Sequence, residues 1–437
     1  MKISEPKGKN KKMSLSEAVA MAVGTMIGAS IFSIFGVGAK IAGNNLPEAF
    51  ILSGIFALLV AYSYAKLGSK IISNAGPIEF ILKGMGDNLV TGTLAILMWL
   101  SYVVSISLFA KGFAGYLLPL ININSSALTL GISEVLLISI FTVINSFGSK
   151  AVGSLEFYIV LIKLSILGIF IFLGVSQIIP DYIIPSFDSS GMHGILSAAV
   201  VFFLSYMGFG LITNASENMD NPKRNVPLAI FLSIAIVMFI YVAVSLVAVG
   251  NLSLNELIAA KENALAVAAK PFLGKFGFIL ISIGALFSIS SALNATLYGG
   301  ANIAYSLAKD GELPEIFERK VWFKSTEGLY ITASLSILFV LLFNIGAIAT
   351  ITSIIYTIIY IFVLISHFKL AETYSGNRKF IFVNVIILIG VLFALLFYQY
   401  QTQPNALYGT IITLLFAFIV EYIYRYVRKR TILGRNL

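Results

Sequence analysis

Twelve stretches of this chain are apolar for long enough to cross a lipid bilayer, and that repetition limits the fold more than any single motif. They run 14–42, 48–72, 89–118, 128–147, 151–176, 194–218, 226–250, 275–308, 328–345, 347–371, 379–400 and 405–427. About 20 apolar residues span the hydrocarbon core. Inside it every backbone N–H and C=O must be paired within the protein, which leaves helices or a closed barrel. The alternating ten-residue pattern of a barrel strand is missing. An all-α membrane protein with 12 transmembrane helices is therefore predicted. Only 11% of the 437 residues are charged, against about a quarter in a soluble chain, so no soluble domain of normal size fits beside the spans. The chain has no cysteine and two histidines, which argues against a disulfide framework and a thiolate or imidazole metal centre.

The basic residues orient the chain. Lys and Arg favour cytoplasmic loops, and with the N-terminus inside, 23 of the 29 fall on the cytoplasmic side. Lys40, Lys111, Lys261, Lys270 and Lys275 fall outside, and Lys163 lies within a span. Both termini are predicted cytoplasmic, in a multi-pass protein of the cell membrane. The net charge of +9 then reflects topology, and no nucleic-acid partner is implied. The first apolar run follows Lys2, Lys7, Lys9, Lys11 and Lys12, but it is too long for a signal peptide and is expected to be retained.

Two spans contain helix-weakening runs. Gly24-Thr25-Met26-Ile27-Gly28-Ala29-Ser30 lies in the first and Ser205-Tyr206-Met207-Gly208-Phe209-Gly210 in the sixth. Glycine costs about 1 kcal/mol relative to alanine in a helix and lets backbone approach a ligand. Gly24 and Gly28 also match the small-xxx-small spacing of a packing face. The recurrence five helices later favours the other reading, in which two five-helix repeats each begin with a broken helix that builds a central site. Helix restart around Ile27, Gly28 and Ala29 would present amides to an anion. Carbonyls around Gly24 and Phe203 would suit an ammonium group. No ionisable acid or base lies between Ala18 and Ala39 or between Gly194 and Ser216. Both backbone polarities without side-chain charge suit a zwitterion, and an α-amino acid is the expected substrate. Thr25, Met26, Ile27, Gly28, Ala29, Phe203, Ser205, Tyr206 and Gly208 are the candidate substrate-binding residues. Phe203 or Tyr206 is the candidate aromatic gate.

At these residues the chain resembles the amino acid–polyamine–organocation superfamily of secondary transporters, and within it the archaeal proton-coupled, broad-specificity amino-acid transporters. The resemblance rests on Gly24 through Phe32, Phe203 through Phe209, Glu217 through Pro227, and Ala308 through Pro314, in order along the chain. It implies the LeuT-type five-plus-five inverted-repeat fold with helices 1 and 6 discontinuous. The repeats are expected at 14–176 and 194–371, with helices 11 and 12 at 379–427 outside them and tails at 1–13 and 428–437. One position departs from the pattern. Many relatives carry Asp or Glu where this chain has Gly210, which points toward neutral or anionic amino acids; neutral or small amino acids are the expected substrates.

Lys163 is the candidate coupling residue. It lies about twelve residues, or roughly 18 Å, from either end of its span, beyond the reach of a snorkelling side chain. An ionisable group at the midplane costs at least a few kcal/mol and marks a functional site by default. In LeuT-type transporters a sodium ion can sit where the fifth helix meets carbonyls of the first and hydroxyls of the eighth. The resemblance implies that the Lys163 ammonium takes that place, donating to the Gly24 carbonyl and to Ser288, with Ser291 on the same face. Proton-coupled, sodium-independent symport by alternating access is the expected function, with protons and an amino acid as partners, no cofactor and no metal. A monomer suffices for such a carrier. An amino-acid exchanger with permanently charged Lys163 is the alternative; a channel or sensor is less favoured, and no constellation of an enzyme is present.

Other polar residues carry weaker expectations. Glu134 is expected near the outer end of its span, facing loops or water, and Lys111 to snorkel. Glu217 and Asp220 are expected to anchor the following loop with Lys223 or Arg224. Glu421 and Arg425 form an i,i+4 pair expected at the surface. His193 and His367 lie at span boundaries with no partner legible in the sequence.

Overall fold

The computed structural model describes residues 12–73, 76–147, 152–309, 313–321 and 325–427. Outside the described residues lie most of the two tails predicted at 1–13 and 428–437, and Lys150, Asp310, Gly311, Glu312 and Lys324.

Every predicted segment is helical. The first forms α1 (Leu15–Ser33) and α2 (Phe35–Ala42), and the second α3 (Leu46–Gly68). A short helix, α4 (Pro77–Met85), precedes α5 (Leu89–Leu120), α6 (Ala127–Ser146) and α7 (Val152–Gly174). The sixth segment divides into α8 (Ser189–Phe202), a 3-10 turn at Phe203–Phe209 and α9 (Gly210–Asn214). There follow α10 (Pro222–Asn251), the short α11 (Leu254–Ala259) and α12 (Ala264–Ala268), and α13 (Lys270–Lys309). The chain continues with α14 (Glu327–Leu342), α15 (Ile345–Lys369), α16 (Arg378–Thr402) and α17 (Pro404–Tyr422). Among the described residues 11 helical stretches are long and apolar enough to cross a membrane. This is an all-α, multi-pass membrane protein. The predicted ninth span corresponds to α14, which has only 16 residues and rises roughly 24 Å. Phe343 there leaves helical geometry, and Asn344 starts α15 by accepting from the Ala347 amide at 2.9 Å.

Side-chain caps begin several of the helices, where the backbone would otherwise leave donors unpaired. Ser14 and Glu17 form a reciprocal capping box on α1, Asn88 caps α5 and Asp188 caps α8 through the Gly191 amide. The apolar faces then sort by depth. On α5, 94% of the apolar window is buried, whereas α6, α16 and α17 leave large apolar residues such as Leu128, Phe393 and Tyr408 outward for lipid. Hydroxyls and amides tie the buried seams. Trp99 Nε1 donates to Thr332 Oγ1 at 3.0 Å, and Ser107 and Ser336 exchange bonds with each other's helix backbone. Gln399 joins Thr350 to Thr410 across α15, α16 and α17. Each such bond contributes about 0.6 kcal/mol within a membrane protein. The result is a central column, α1 with the 3-10 turn, walled by α3, α5, α7, α10, α13 and α15.

Candidate functional site

Lys163 sits at the middle of α7 with 1% of its surface exposed. Its Nζ donates to the Gly24 carbonyl of α1 at 2.5 Å. Ser288 of α13 is within reach of the carbonyls three and four residues along, Ile27 O at 3.5 Å and Gly28 O at 3.3 Å. Lys163 and Ser288 thus both serve the backbone of α1, from the two helices that flank it.

The helix they serve is continuous where a break was expected. Gly24–Ser30 lies inside α1, and the interruption of the first segment falls at Ile34 (φ −109°, ψ 7°). The amides of Ile27, Gly28 and Ala29 therefore belong to the helical ladder and form no restart site for an anion. The physical reason is one of scale. Glycine weakens a helix by about 1 kcal/mol, while an unpaired backbone group at bilayer depth costs several. Gly28 serves close packing instead. A Cβ on Gly28 would lie 2.5 Å from the Ala292 Cβ of α13, so the small-xxx-small alternative describes this position.

The α1 carbonyls nevertheless carry more partners than a helix supplies. Gly24 O accepts from Lys163, Met26 O lies within reach of Ser30 Oγ (2.8 Å) and the Tyr241 hydroxyl (2.5 Å), and Phe32 O accepts from the Tyr116 hydroxyl (3.0 Å). A carbonyl has two lone pairs, so one such bond coexists with the ladder at each oxygen, and at Met26 O the two hydroxyls compete for the single place left. These bonds would also keep the same carbonyls satisfied if the ladder opened.

The sixth segment does lose its α-helical ladder, across the seven residues Phe203–Phe209. A 3-10 run longer than three or four residues is uncommon and marks strain or a hinge. Gly208 brings it against α1. A Cβ there would meet Met26 Cγ at 2.8 Å, Met26 N at 3.0 Å and Ala22 O at 3.1 Å.

Between these two elements and α3, α5, α13 and α15 lies a cavity walled by apolar and hydroxyl-bearing side chains. Of the predicted binding residues, Thr25, Met26 and Gly208 line it. The backbone of Ala29 is described but its side chain lies outside the described residues. Ile27, Phe203, Ser205 and Tyr206 are buried behind the wall. Neither candidate gate covers the cavity in this arrangement. Phe203 packs edge-on against Phe56 and Tyr360, and Tyr206 packs on Tyr241 while donating to Phe50 O at 2.9 Å. The lining that sequence reasoning missed is hydroxylic and amidic: Ser30, Tyr64, Tyr102, Asn214, Tyr356 and Tyr360. Those on α3, α5 and α15 carried no local signal, because a tyrosine in an apolar span reads as lipid-facing or core. No lining residue is an acid, a base or a histidine.

The cavity runs from mid-α1 to Pro77 and Asn214, near the face that holds the start of α1. The opposite face is closed by contact. A Cβ on Gly36 of α2 would lie 2.1 Å from the Lys261 carbonyl, and one on Gly38 would overlap Phe202.

Three secondary expectations are corrected by burial. Glu134 is 2% exposed and does not face water; Lys111 pairs with it at 3.1 Å and does not snorkel. Glu421 is fully buried beside Gly92, and Arg425 joins it to Asp87 and the Asn88 carbonyl, so this pair belongs to a helix seam and not to the surface. Charges held away from water need such partners. The loop after α9 is anchored through main chain, by Met13 N to Asn218 O and Asp220 N to Met13 O, both 2.8 Å. His367 is buried, with Nδ1 2.9 Å from Ser63 Oγ. Among the described residues no cluster of His, Asp or Glu could hold a metal ion.

The sequence itself is similar to known proteins. A family model described as amino acid permease matches residues 13–420. The chain is 64% identical to an uncharacterized protein of Methanocaldococcus jannaschii over 97% of each chain. It is 30% identical to the inner membrane transport protein YbaT of Escherichia coli, over 97% of this chain and 98% of that one. To the methylthioribose transporter of Bacillus subtilis it is 29% identical, over 72% and 71%.

Proposed function

The chain belongs to the amino acid permease family, a family of transporters and not of enzymes, and from that premise we propose that it carries neutral or small amino acids together with protons by alternating access. The substrate class is supported by the cavity. Its lining offers hydroxyls, an amide and aromatic faces and no fixed charge, which favours a ligand with no net charge, because an unmatched charge leaving water is strongly disfavoured. Alternating access is supported by the contrast between the two faces of the column, closed at α2 and hollow toward Asn214. Proton coupling rests on one observation: a lysine buried at mid-span reaches the column, and its ammonium holds the α1 carbonyl at Gly24.

In the cycle we infer, protonated Lys163 holds α1 against α7, and loss of its proton turns that charge-assisted bond into a weaker neutral one and frees the helix. A monovalent cation is not needed where an ammonium already occupies the junction, so transport is sodium-independent. Both termini face the cytoplasm, and the cavity then faces inward. The protein acts in the cell membrane, and a monomer holds the whole site.

The test is uptake of a panel of labelled amino acids into proteoliposomes, with and without sodium and an imposed pH gradient. Concentrative alanine uptake driven by the pH gradient into substrate-free vesicles, unchanged by sodium, is expected. Uptake only into amino-acid-loaded vesicles would identify an exchanger and overturn the symport reading.

Gly210 tests the substrate class. Its added Cβ would meet only Tyr64 Cε1, at 3.8 Å, which is ordinary contact, so the wall has room for a carboxylate. Gly210→Asp is expected to raise lysine uptake relative to alanine uptake by about ten-fold, which corresponds to ~1.4 kcal/mol of discrimination. Competition measurements in the same vesicles check it.

A further inference from the structure

Tyr241 was singled out by no sequence motif and does not line the cavity described above, yet its hydroxyl stands where three elements meet. The side chain of α10 is fully buried, its ring packed on Phe50 and Tyr206. Its oxygen lies 2.5 Å from Met26 O on α1, 3.2 Å from Ser205 O in the 3-10 turn and 2.7 Å from Ser30 Oγ. Ser30 Oγ in turn lies 2.8 Å from Met26 O.

Counting protons exposes the device. Two hydroxyls supply two protons, while two carbonyls and the other hydroxyl compete for them. If Tyr241 donates to Met26 O, Ser30 donates to the tyrosine oxygen, and Ser205 O receives nothing from the pair. If Ser30 donates to Met26 O, Tyr241 is released to donate to Ser205 O. The two patterns interconvert by rotating O–H bonds, with no heavy atom displaced. One pattern joins α10 to the first span, and the other joins it to the 3-10 turn of the sixth.

We propose that Tyr241 is a positioning residue that latches α1 and the 3-10 turn to α10 in the arrangement seen here, its proton alternating between Met26 O and Ser205 O as the two elements move. The latch restrains whichever element holds the bond and leaves the other free to shift. It draws on the transport reading only for its purpose; the contact itself is testable without transport.

The chain contains no cysteine, so a single introduced thiol reports cavity access without background. Ser105, in the cavity wall, serves as Ser105→Cys in the full chain in vesicles, labelled from each side with a membrane-impermeant maleimide. Tyr241→Phe keeps the ring packing and removes the hydroxyl. It is expected to raise labelling from the face opposite the cavity mouth by about five-fold, the population shift that one net hydrogen bond supplies. Should that variant not fold, Ser30→Ala in the same background removes the second proton and is expected to shift labelling about two-fold in the same direction. Labelling unchanged or lowered in a folded variant overturns the latch. Failure of the transport reading would appear separately, as no uptake by the unsubstituted protein, with the labelling result still decisive for Tyr241.

Discussion

Lys163→Gln and Lys163→Ala are each expected to abolish alanine accumulation driven by a pH gradient, a fall of at least about ten-fold against the unsubstituted protein. The buried ammonium meets the Gly24 carbonyl at 2.5 Å. Charge-assisted bonds of this kind are roughly twice as strong as neutral ones. Glutamine retains an N–H donor but cannot bind or release a proton at that position. Alanine removes the donor and leaves a void between α1 and α7. If proton release at Lys163 frees α1, both variants uncouple, while Gln retains the more native stability. Accumulation measured in proteoliposomes at fixed amino acid and varied pH difference checks this. Full pH-driven accumulation in either variant removes Lys163 from the coupling mechanism. Substrate binding measured beside it separates uncoupling from loss of the folded site.

Gly208→Val carries the second large effect. The 3-10 turn approaches α1 so closely that a Cβ on Gly208 would lie 2.8 Å from Met26 Cγ and 3.0 Å from Met26 N. The second of these is a backbone atom, so no rotamer change relieves it. Overpacking of this kind costs about 1–3 kcal/mol. Applied to a contact that exists in one arrangement of the column, it shifts the conformational balance by roughly five- to 150-fold. Uptake is expected to fall at least about ten-fold. Gly390→Val on α16, where an added Cβ meets nothing within 4 Å, is the control and leaves uptake unchanged. Equal uptake in the two variants would mean that the turn does not bear on α1 during transport.

The site was partly legible beforehand, and the two halves of the reading met different outcomes. Lys163 stood out because one charge in a long apolar run is a local anomaly, and its contact with Gly24 O follows from where α7 and α1 pack. The break placed at Gly24–Ser30 was an inference from glycine content, and α1 runs through it to Ile34. The sixth segment has the converse history: the run Ser205–Gly210 does leave the α-helix, yet Phe203 and Tyr206 point into packing and not over the cavity. Tyr64, Tyr102, Tyr356 and Tyr360 assemble the wall from three helices far apart in sequence. Nothing in their neighbours along the chain marks them.

Sequence alone determined that this is a bundle of membrane helices, that its segments divide near the residues seen, and that one lysine is carried to mid-depth. Those follow from hydrophobicity and spacing, which are local and sum along the chain. Tertiary structure decided whether each glycine loosens the backbone or admits a neighbour, and which hydroxyls face the hollow. Gly28 is filled by Ala292 and Gly208 by Met26, and Tyr241 finds Met26 and Ser205 together. Such outcomes depend on atoms brought from distant helices, whose approach is set by shape and hydrogen-bond supply within the packed column.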